Sequence, residues 1–453
     1  MNGMRSVKDI ANSIRLGRAS AQQTISHYLQ IIRQYDPPIN SVTRILDERA
    51  LKAAERIDLL IATGQDPGPL AGVPFAVKDL FDVQDEVTTA GSKILSKKSC
   101  ANQDAEVIQR LCKAGAIPVA TLNMDEFAYG FVTDNVHHGM TYNPHDLSRF
   151  AGGSSGGSAA SVGGGIIPFS LGSDTNGSIR VPASLCGVWG IRPTFGLMPM
   201  QGVYPFAKSF DTIGPFCQTV EDLKLVFNVM AGVEDNASIL PSVSDLQIAQ
   251  VGGWFERDVE QDILKTIQEI MHLFGQQKKI EIPYIEQVRT ASYLMTASEG
   301  GNLHLPMLRT QPLDYDPATR DRLMAGAMLP VASYLQAQKV KTWFQNYLAE
   351  IFKEYDLLIA PAVGAAAPLI DNPIVYVDGQ PVPARVHLGI YTQPFSMSKC
   401  PVLSIPFQRK GKPPVGLQLI AQPYQEKLLF AVGSVLEQNG LAKASIIHRD
   451  AIT

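Results

Sequence analysis

Three residues sit in contexts that suit covalent chemistry at a carbonyl: Lys78 in GVPFAVKDLF, Ser154 in GGSSGGS and Ser178 in DTNGS. A serine hydroxyl is a weak nucleophile until a base takes its proton, and the usual base is histidine. None of the eight histidines lies near either serine in the sequence. The alternative base is a lysine that burial keeps neutral. Lys78 closes a run whose other members include Val73, Phe75, Ala76 and Val77. On a strand its neighbour Asp79 would point to the opposite face and could not simply neutralise it. A lysine at a strand end can equally snorkel to solvent, so the strand pattern alone leaves both readings open.

Both serines belong to one stretch, 152–191, with seven glycines between Gly152 and Gly165 before the sequence turns apolar. A flexible Gly/Ser linker would stay polar. Glycines used this way let the backbone turn through φ > 0, approach closely and present N–H groups inward, which suits a site that holds a developing negative charge.

The elements that must position these residues alternate between helix and strand. Ser6 starts an amphipathic helix with Ile10 and Ile14 that Gly17 stops, and Ser20 starts a second with Ile25, Leu29 and Ile32 that ends at Pro37-Pro38. A helix over 46–62 leads to the strand carrying Lys78. Asp104 reads as the N-cap of a helix through Ala114, closed by Gly115, and IPVAT is the next strand. The segment 123–139, NMDEFAYGFVTDNVHHG, reads as a loop or helix edge lining a cleft. Thr219 caps a helix over 220–230, and LQIAQVGGWF precedes a helix over 259–274. YDLLIAPA, PVLSIPF and VGLQLIAQ are strands, and 425–438 is a closing helix. No repeat or long linker divides the chain, which reads as one α/β domain over 1–453, with an excursion from the core at about 240–350.

Composition narrows the partners. Of 453 residues, 45% are hydrophobic and 18% charged, which is ordinary for a globular protein. A net charge of −4, with basic residues clustered no further than pairs such as Lys97-Lys98 and Lys278-Lys279, argues against direct nucleic-acid binding. The amino terminus has no apolar leader and no stretch approaches a membrane span, so a cytoplasmic, membrane-free protein is expected. Five widely spaced cysteines without a CxxC pair fit free thiols. His137 and His138 are adjacent, which suits a loop better than a metal site; neither metal nor cofactor is expected.

GVPFAVKDLF, then GGSSGGS with its serine 76 residues on, then GSDTNGSIRVPASLCGVWGIRPT with its serine 24 residues further, resembles the amidase signature family in all three motifs and their spacing. The likeness extends to the opening helices, NMDEFAYG, DLLIAPA and PVGLQLIAQPYQEKLL. It implies an α/β/α domain around a large mixed sheet. Carried over by motif, the nucleophile falls on Ser178, the bridging serine on Ser154, after a cis Gly153–Ser154 bond, and the base on Lys78. The turn Thr175-Asn176-Gly177-Ser178 would supply oxyanion-hole N–H groups. Most of the family carries glycine where Asn176 stands; asparagine tolerates φ > 0, and its side chain would narrow or contact the cleft, as would Tyr129. Asp174 and Arg180 read as supports, and Ser155 and Ser158 as structural donors to the glycine loop.

GGSSG also fits the G-x-S-x-G nucleophile elbow, but that reading leaves Lys78 and DTNGS without a task. The loop has no phosphate-binding motif either. A non-catalytic scaffold would not need all three catalytic positions.

Within the family, two branches compete. GSDTNGSIR and NMDEFAYG are similar to the branch that takes ammonia from glutamine for transfer to a tRNA-borne amino acid. VGGWF, TASEGGNLHL, LPVASYLQAQ and SDTNGSIRVPASLCGVWG, its asparagine included, are similar to the branch that hydrolyses 1-carboxybiuret. This second likeness is favoured. Glu299, His304 and Arg309 lie in that region and read as a helix packed on the core. In the glutamine branch an aspartate holds the substrate's ammonium; the matching position here is Gly389. The arginine that holds the carboxylate is retained as Arg322. Both branches imply a small helical subunit wrapped around the catalytic chain, with self-association as well.

Overall fold

In the computed structural model, residues 6–233 and 245–447 are described. The first residues of the amino-terminal stretch (1–5) and of the expected excursion (240–244) lie outside them. The helices are α1 (Val7–Arg15), α2 (Ala21–Tyr35), α3 (Asp47–Ala62), α4 (Glu106–Lys113), α5 (Gly156–Gly163), α6 (Arg180–Leu185), α7 (Val220–Ala231), α8 (Gln261–Leu273), α9 (Ile285–Thr310), α10 (Pro317–Ala327), α11 (Val331–Ile351), α12 (Ala384–His387), α13 (Gln393–Ser396) and α14 (Glu426–Gln438). The central sheet holds β1 (Val42–Ile45), β2 (Pro74–Lys78), β3 (Ile117–Leu122), β4 (Phe169–Asp174), β5 (Trp189–Arg192), β6 (Thr212–Cys217), β7 (Ile248–Val251), β8 (Lys279–Ile280), β9 (Leu357–Pro361), β10 (Val402–Arg409) and β11 (Lys412–Ala421).

These form one 11-stranded mixed sheet in the order β1-β3-β2-β4-β6-β5-β10-β11-β9-β7-β8. Strands β3, β2 and β4 run parallel to one another, and β4 meets β6 antiparallel. PFAVK and FSLGSD are buried at every position because helices cover both faces of the sheet; PFAVK accordingly reads as an apolar run, whereas FSLGSD keeps Ser170, Ser173 and Asp174 in its buried length. The rings of Phe75 and Phe169, paired in register, stack 5.2 Å apart beneath the site.

The local start signals act as expected at α1, α2 and α7, where Ser6, Ser20 and Thr219 each accept a backbone N–H. Asp104 does not cap α4: Ala105 holds the cap position, while the Asp104 carboxylate accepts from Gln84 N at 2.8 Å and pairs with Arg49 of α3. The excursion is also shorter than 240–350. Strands β7 and β8 belong to the central sheet, leaving α9–α11 as the inserted helical unit. Its helices seat closely: a Cβ on Gly301 would strike Ala327 N and one on Gly326 would strike Ala297 O. The EGG of α9 is therefore a packing seam that holds α10 against it.

Candidate active site

Parallel neighbours β2 and β4 end side by side, and the site lies beyond their carboxyl ends. Lys78, the last residue of β2, is fully buried. Its Nζ lies 2.7 Å from Ser154 Oγ, 3.0 Å from Ser155 Oγ and 2.9 Å from Ser173 Oγ. Asp79 turns away, its carboxylate accepting from Thr89 Oγ1. Ser155 Oγ donates to the Ser173 carbonyl at 3.1 Å, so toward Lys78 it accepts. A neutral amine has two N–H groups and one lone pair. Donating to Ser155 and Ser173 leaves the lone pair for the Ser154 hydroxyl. Burial away from water lowers the Lys78 pKa to about 7, against the opposing pull of the Asp125, Asp174 and Asp211 carboxylates.

A base of this kind works only when unprotonated. The expected kcat/KM is level above about pH 7, the pKa of Lys78, and falls roughly tenfold per pH unit below it. A pH–rate profile that peaks in acid would contradict this role for Lys78.

The Gly153–Ser154 peptide is cis, and the glycine loop leads into α5. Two of its N–H groups are taken by the protein itself rather than presented to the site. Gly156 N donates to Thr133 Oγ1 at 3.0 Å and Gly157 N to the Asn123 carbonyl at 3.1 Å. The glycines serve close packing, since a Cβ on Gly153 would collide with Asp125.

The turn after β4 is fastened residue by residue. Asp174, fully buried, is bonded by Arg180 Nε at 3.0 Å and Nη2 at 2.9 Å and by Arg192 Nη1 at 3.0 Å. Burial alone would raise its pKa, but the two guanidiniums hold it well below the usual carboxylate range. Thr175 Oγ1 donates to Asp211 at 2.7 Å. Asn176 Oδ1 accepts from Ser292 Oγ at 2.8 Å, its Nδ2 donates to Thr296 Oγ1 at 3.3 Å, and its carbonyl accepts from Thr392 Oγ1 at 2.8 Å. The positive φ of the turn falls on Gly177, at 128°, and not on Asn176, and a Cβ on Gly177 would collide with Thr392. Gly177 N–H donates to Asp174 Oδ1 at 2.9 Å, which removes it from the expected set of oxyanion donors. Among the described residues, the N–H groups of Thr175, Asn176 and Ser178 have no acceptor. Ser178 Oγ makes no hydrogen bond to Ser154 among them either, so the Lys78–Ser154 contact is made and the Ser154–Ser178 contact is not.

Ser178 opens onto a small cavity of about 30 Å³. Its walls are Ala128, Tyr129, Gly130 and Phe131 from the loop after β3, Thr175 and Asn176 from the turn, Phe206, Tyr293 and Thr296 of α9, Arg322 of α10, Val386 and Gln393. The segment read as a cleft-lining loop does line it. Among the described lining residues Arg322 alone carries a charge. Arg322 is half-buried, its guanidinium 4.0 Å from the centre of the Tyr129 ring and donating to the Tyr129 carbonyl, while Nε donates to Ala318 O at 2.9 Å. The buried Tyr129 hydroxyl has no hydrogen-bond partner among the described residues. Phe131 packs against Gly389 so closely that a Cβ there would collide with its ring.

Of the residues read as supports, Arg180 also donates to Thr392 O at 2.8 Å, and Ser158 bonds Leu171 O of β4 at 2.9 Å rather than the glycine loop. Ser155 also touches Lys78, at 3.0 Å. Ser173 escapes a reading of the sequence. Its signal is a hydroxyl in a strand buried at every position, where a serine must find a partner. Glu299 accepts from Ser209 N and Tyr334 Oη, His304 is buried against Phe127 and Tyr315, and Arg309 is exposed; none lines the cavity. No histidine bonds Ser154 or Ser178 among the described residues, which leaves the nucleophile-elbow reading without its base.

The sequence profile of the Amidase family matches residues 23–430. The chain is 43% identical over 451 residues to AtzE, a 1-carboxybiuret hydrolase subunit of Pseudomonas sp. (strain ADP), covering 96% of this chain and 98% of that one. It is 34% identical over 483 residues to a glutamyl-tRNA(Gln) amidotransferase subunit of Cyanothece sp. (strain PCC 7425 / ATCC 29141), covering 96% and 98%. A solved structure described as a vestigial protein complex that reveals the evolutionary origins of an s-triazine catabolic enzyme superposes with a TM-score of 0.92 at 42% identity, over 97% of this chain and 99% of that one.

Proposed function

Because the chain belongs to the amidase signature family of hydrolases, we propose that it cleaves the C–N bond of a small linear amide bearing a carboxylate, of the 1-carboxybiuret type, with release of ammonia. Ser178 Oγ attacks the carbonyl carbon as its proton passes to Ser154 and from Ser154 to neutral Lys78. The carbonyl oxygen, now negative, is held by the N–H groups of the turn that have no acceptor in the protein. The relay run backwards puts the proton on the leaving nitrogen, the C–N bond breaks and ammonia departs. Water then attacks the acyl-enzyme, giving up its proton along the same path, and Ser178 is restored.

The observation that carries the substrate class is the charge of the cavity walls: one cation, Arg322, and no anion among the described lining residues. A guanidinium binds a carboxylate in the strong, bidentate manner. A substrate with an α-ammonium would find no anion, and Phe131 occupies the space beside Gly389 from which one could reach. AtzE, the relative of higher identity, is named for 1-carboxybiuret.

The test is an ammonia-release assay over carboxybiuret, biuret, allophanate, glutamine and simple amides. Carboxybiuret is expected to be turned over and glutamine negligibly. Arg322→Ala is expected to raise KM for carboxybiuret by roughly 10- to 100-fold, the loss of a charge-assisted pair, and to change that for neutral biuret little. Equal losses on the two compounds would remove the clamp, and efficient glutamine hydrolysis would overturn the substrate class. A small helical partner and self-association belong to the same proposal. They are supported by the complex described for the related structure and by the exposed Leu313, Met328, Val331 and Leu335 of the inserted helical unit and its connecting turns. Full turnover in the same assay by the monodisperse chain alone would make a partner unnecessary.

A further inference from the structure

Four of the five residues from Asp174 to Ser178 are fastened from outside the inserted helical unit: Asp174 by Arg180, Thr175 by Asp211, the Asn176 carbonyl by Thr392 and Gly177 by Asp174. One attachment comes from the inserted helical unit. Asn176 Oδ1 accepts from Ser292 and its Nδ2 donates to Thr296, residues one turn apart on α9 and both buried. The Thr296 hydroxyl donates to the Ser292 carbonyl at 2.9 Å, so toward Asn176 it can only accept. This fixes the orientation of the amide: Nδ2 faces Thr296 and Oδ1 faces Ser292. Every polar atom of the Asn176 side chain is thereby committed to α9. The Asn176 carbonyl, held by Thr392, locks the following peptide plane from the other side.

We infer that Ser292 is a positioning residue for the nucleophile: through Asn176 it sets the 175–178 turn, and with it the attack direction of Ser178 and the aim of the turn's N–H groups. Ser292 lines no part of the cavity, so it acts only through Asn176. Its neighbours Tyr293 and Thr296 do line it, so one turn of α9 both walls the substrate and braces the nucleophile. The consequence is that the inserted helices are part of the catalytic apparatus rather than an appendage. This inference rests on Ser178 being the nucleophile, as proposed above.

The test reads nucleophile reactivity without a substrate, as the second-order rate at which a phosphonyl fluoride inactivates the enzyme. In that reaction the Ser178 Oγ–P bond forms, the P–F bond breaks and the hydroxyl proton leaves with fluoride. Labelling that persists in Ser178→Ala would overturn the nucleophile assignment itself, whatever Ser292 does. With labelling lost in Ser178→Ala, Ser292→Ala is expected to slow inactivation roughly 10- to 100-fold, the scale of a small misplacement of reacting groups. Asn176→Gly removes the attachment point, so adding Ser292→Ala to it is expected to cost nothing further. An unchanged rate in Ser292→Ala, or a loss that adds in full to that of Asn176→Gly, would overturn the inference, since a serine that merely stabilises α9 gives additive losses.

Discussion

Ser178→Ala and Lys78→Met are each expected to reduce kcat by at least about 10⁴-fold, while Ser154→Ala retains measurable turnover, because water can replace a relay hydroxyl but nothing nearby replaces a nucleophile or its base. Each substitution is chosen to leave the fold intact. Ser178 bonds no other side chain among the described residues, and methionine matches the volume of Lys78 without its amine. Ser155 and Ser173 then lose a donor and not a packing partner. The measurement is a steady-state assay of ammonia release, with thermal melting to verify folding. Near-normal turnover by folded Ser178→Ala would end the mechanism, and near-normal turnover by folded Lys78→Met would move the base elsewhere.

The largest expected loss of stability comes from Asp174→Ala. Asp174 is the only carboxylate that the fully buried Arg180 and Arg192 contact among the described residues, and it also receives the N–H groups of Gly177 and Ile179. Removing one partner of a buried pair leaves uncompensated charge, at a cost of about 3–5 kcal/mol. Here two guanidiniums would be stranded together, so the variant is expected to unfold at much lower denaturant or to fail to accumulate. Asp174→Asn keeps an acceptor oxygen for Gly177 N–H and is expected to fall between that variant and the parent. Urea unfolding of all three gives the order, and an Asp174→Ala midpoint equal to the parent's would show that other groups neutralise the pair.

The fold is legible wherever burial leaves a local trace. β2 shows as a short apolar run because both its faces are covered, and Lys78 stands out as the one charged residue in it, whereas the serines of β4 blur the same signal. The features that are not legible depend on contacts far along the chain. Asn176 meets Ser292 116 residues away and Thr392 216 residues away, and nothing near Asn176 announces either. The same holds for Asp104, whose capping signal is local but whose carboxylate is taken by Arg49, 55 residues earlier. Gly177 reads as an oxyanion donor from its place in the motif; the Asp174 carboxylate three residues before it claims that N–H once Arg180 and Arg192 have fixed its position. The excursion begins later than its sequence suggests because β7, a short strand between β9 and β8, and the two-residue edge strand β8 belong to the sheet through pairings the local sequence does not announce.

The contact between Phe131 and Gly389 also bears on how such a pocket can change its clientele over generations. An aspartate at 389 alone would collide with the Phe131 ring and distort the wall before offering any anchor, while a smaller residue at 131 alone would open a gap without placing a charge in it. Each single codon change is a loss, and only the pair could be a gain, so the two positions are bound by epistasis. On the substrate class proposed above, a lineage with this pocket is insulated from drifting toward amino-acid amides one step at a time. A laboratory library that varies 131 and 389 together would cross in one move the valley that separates the two specificities.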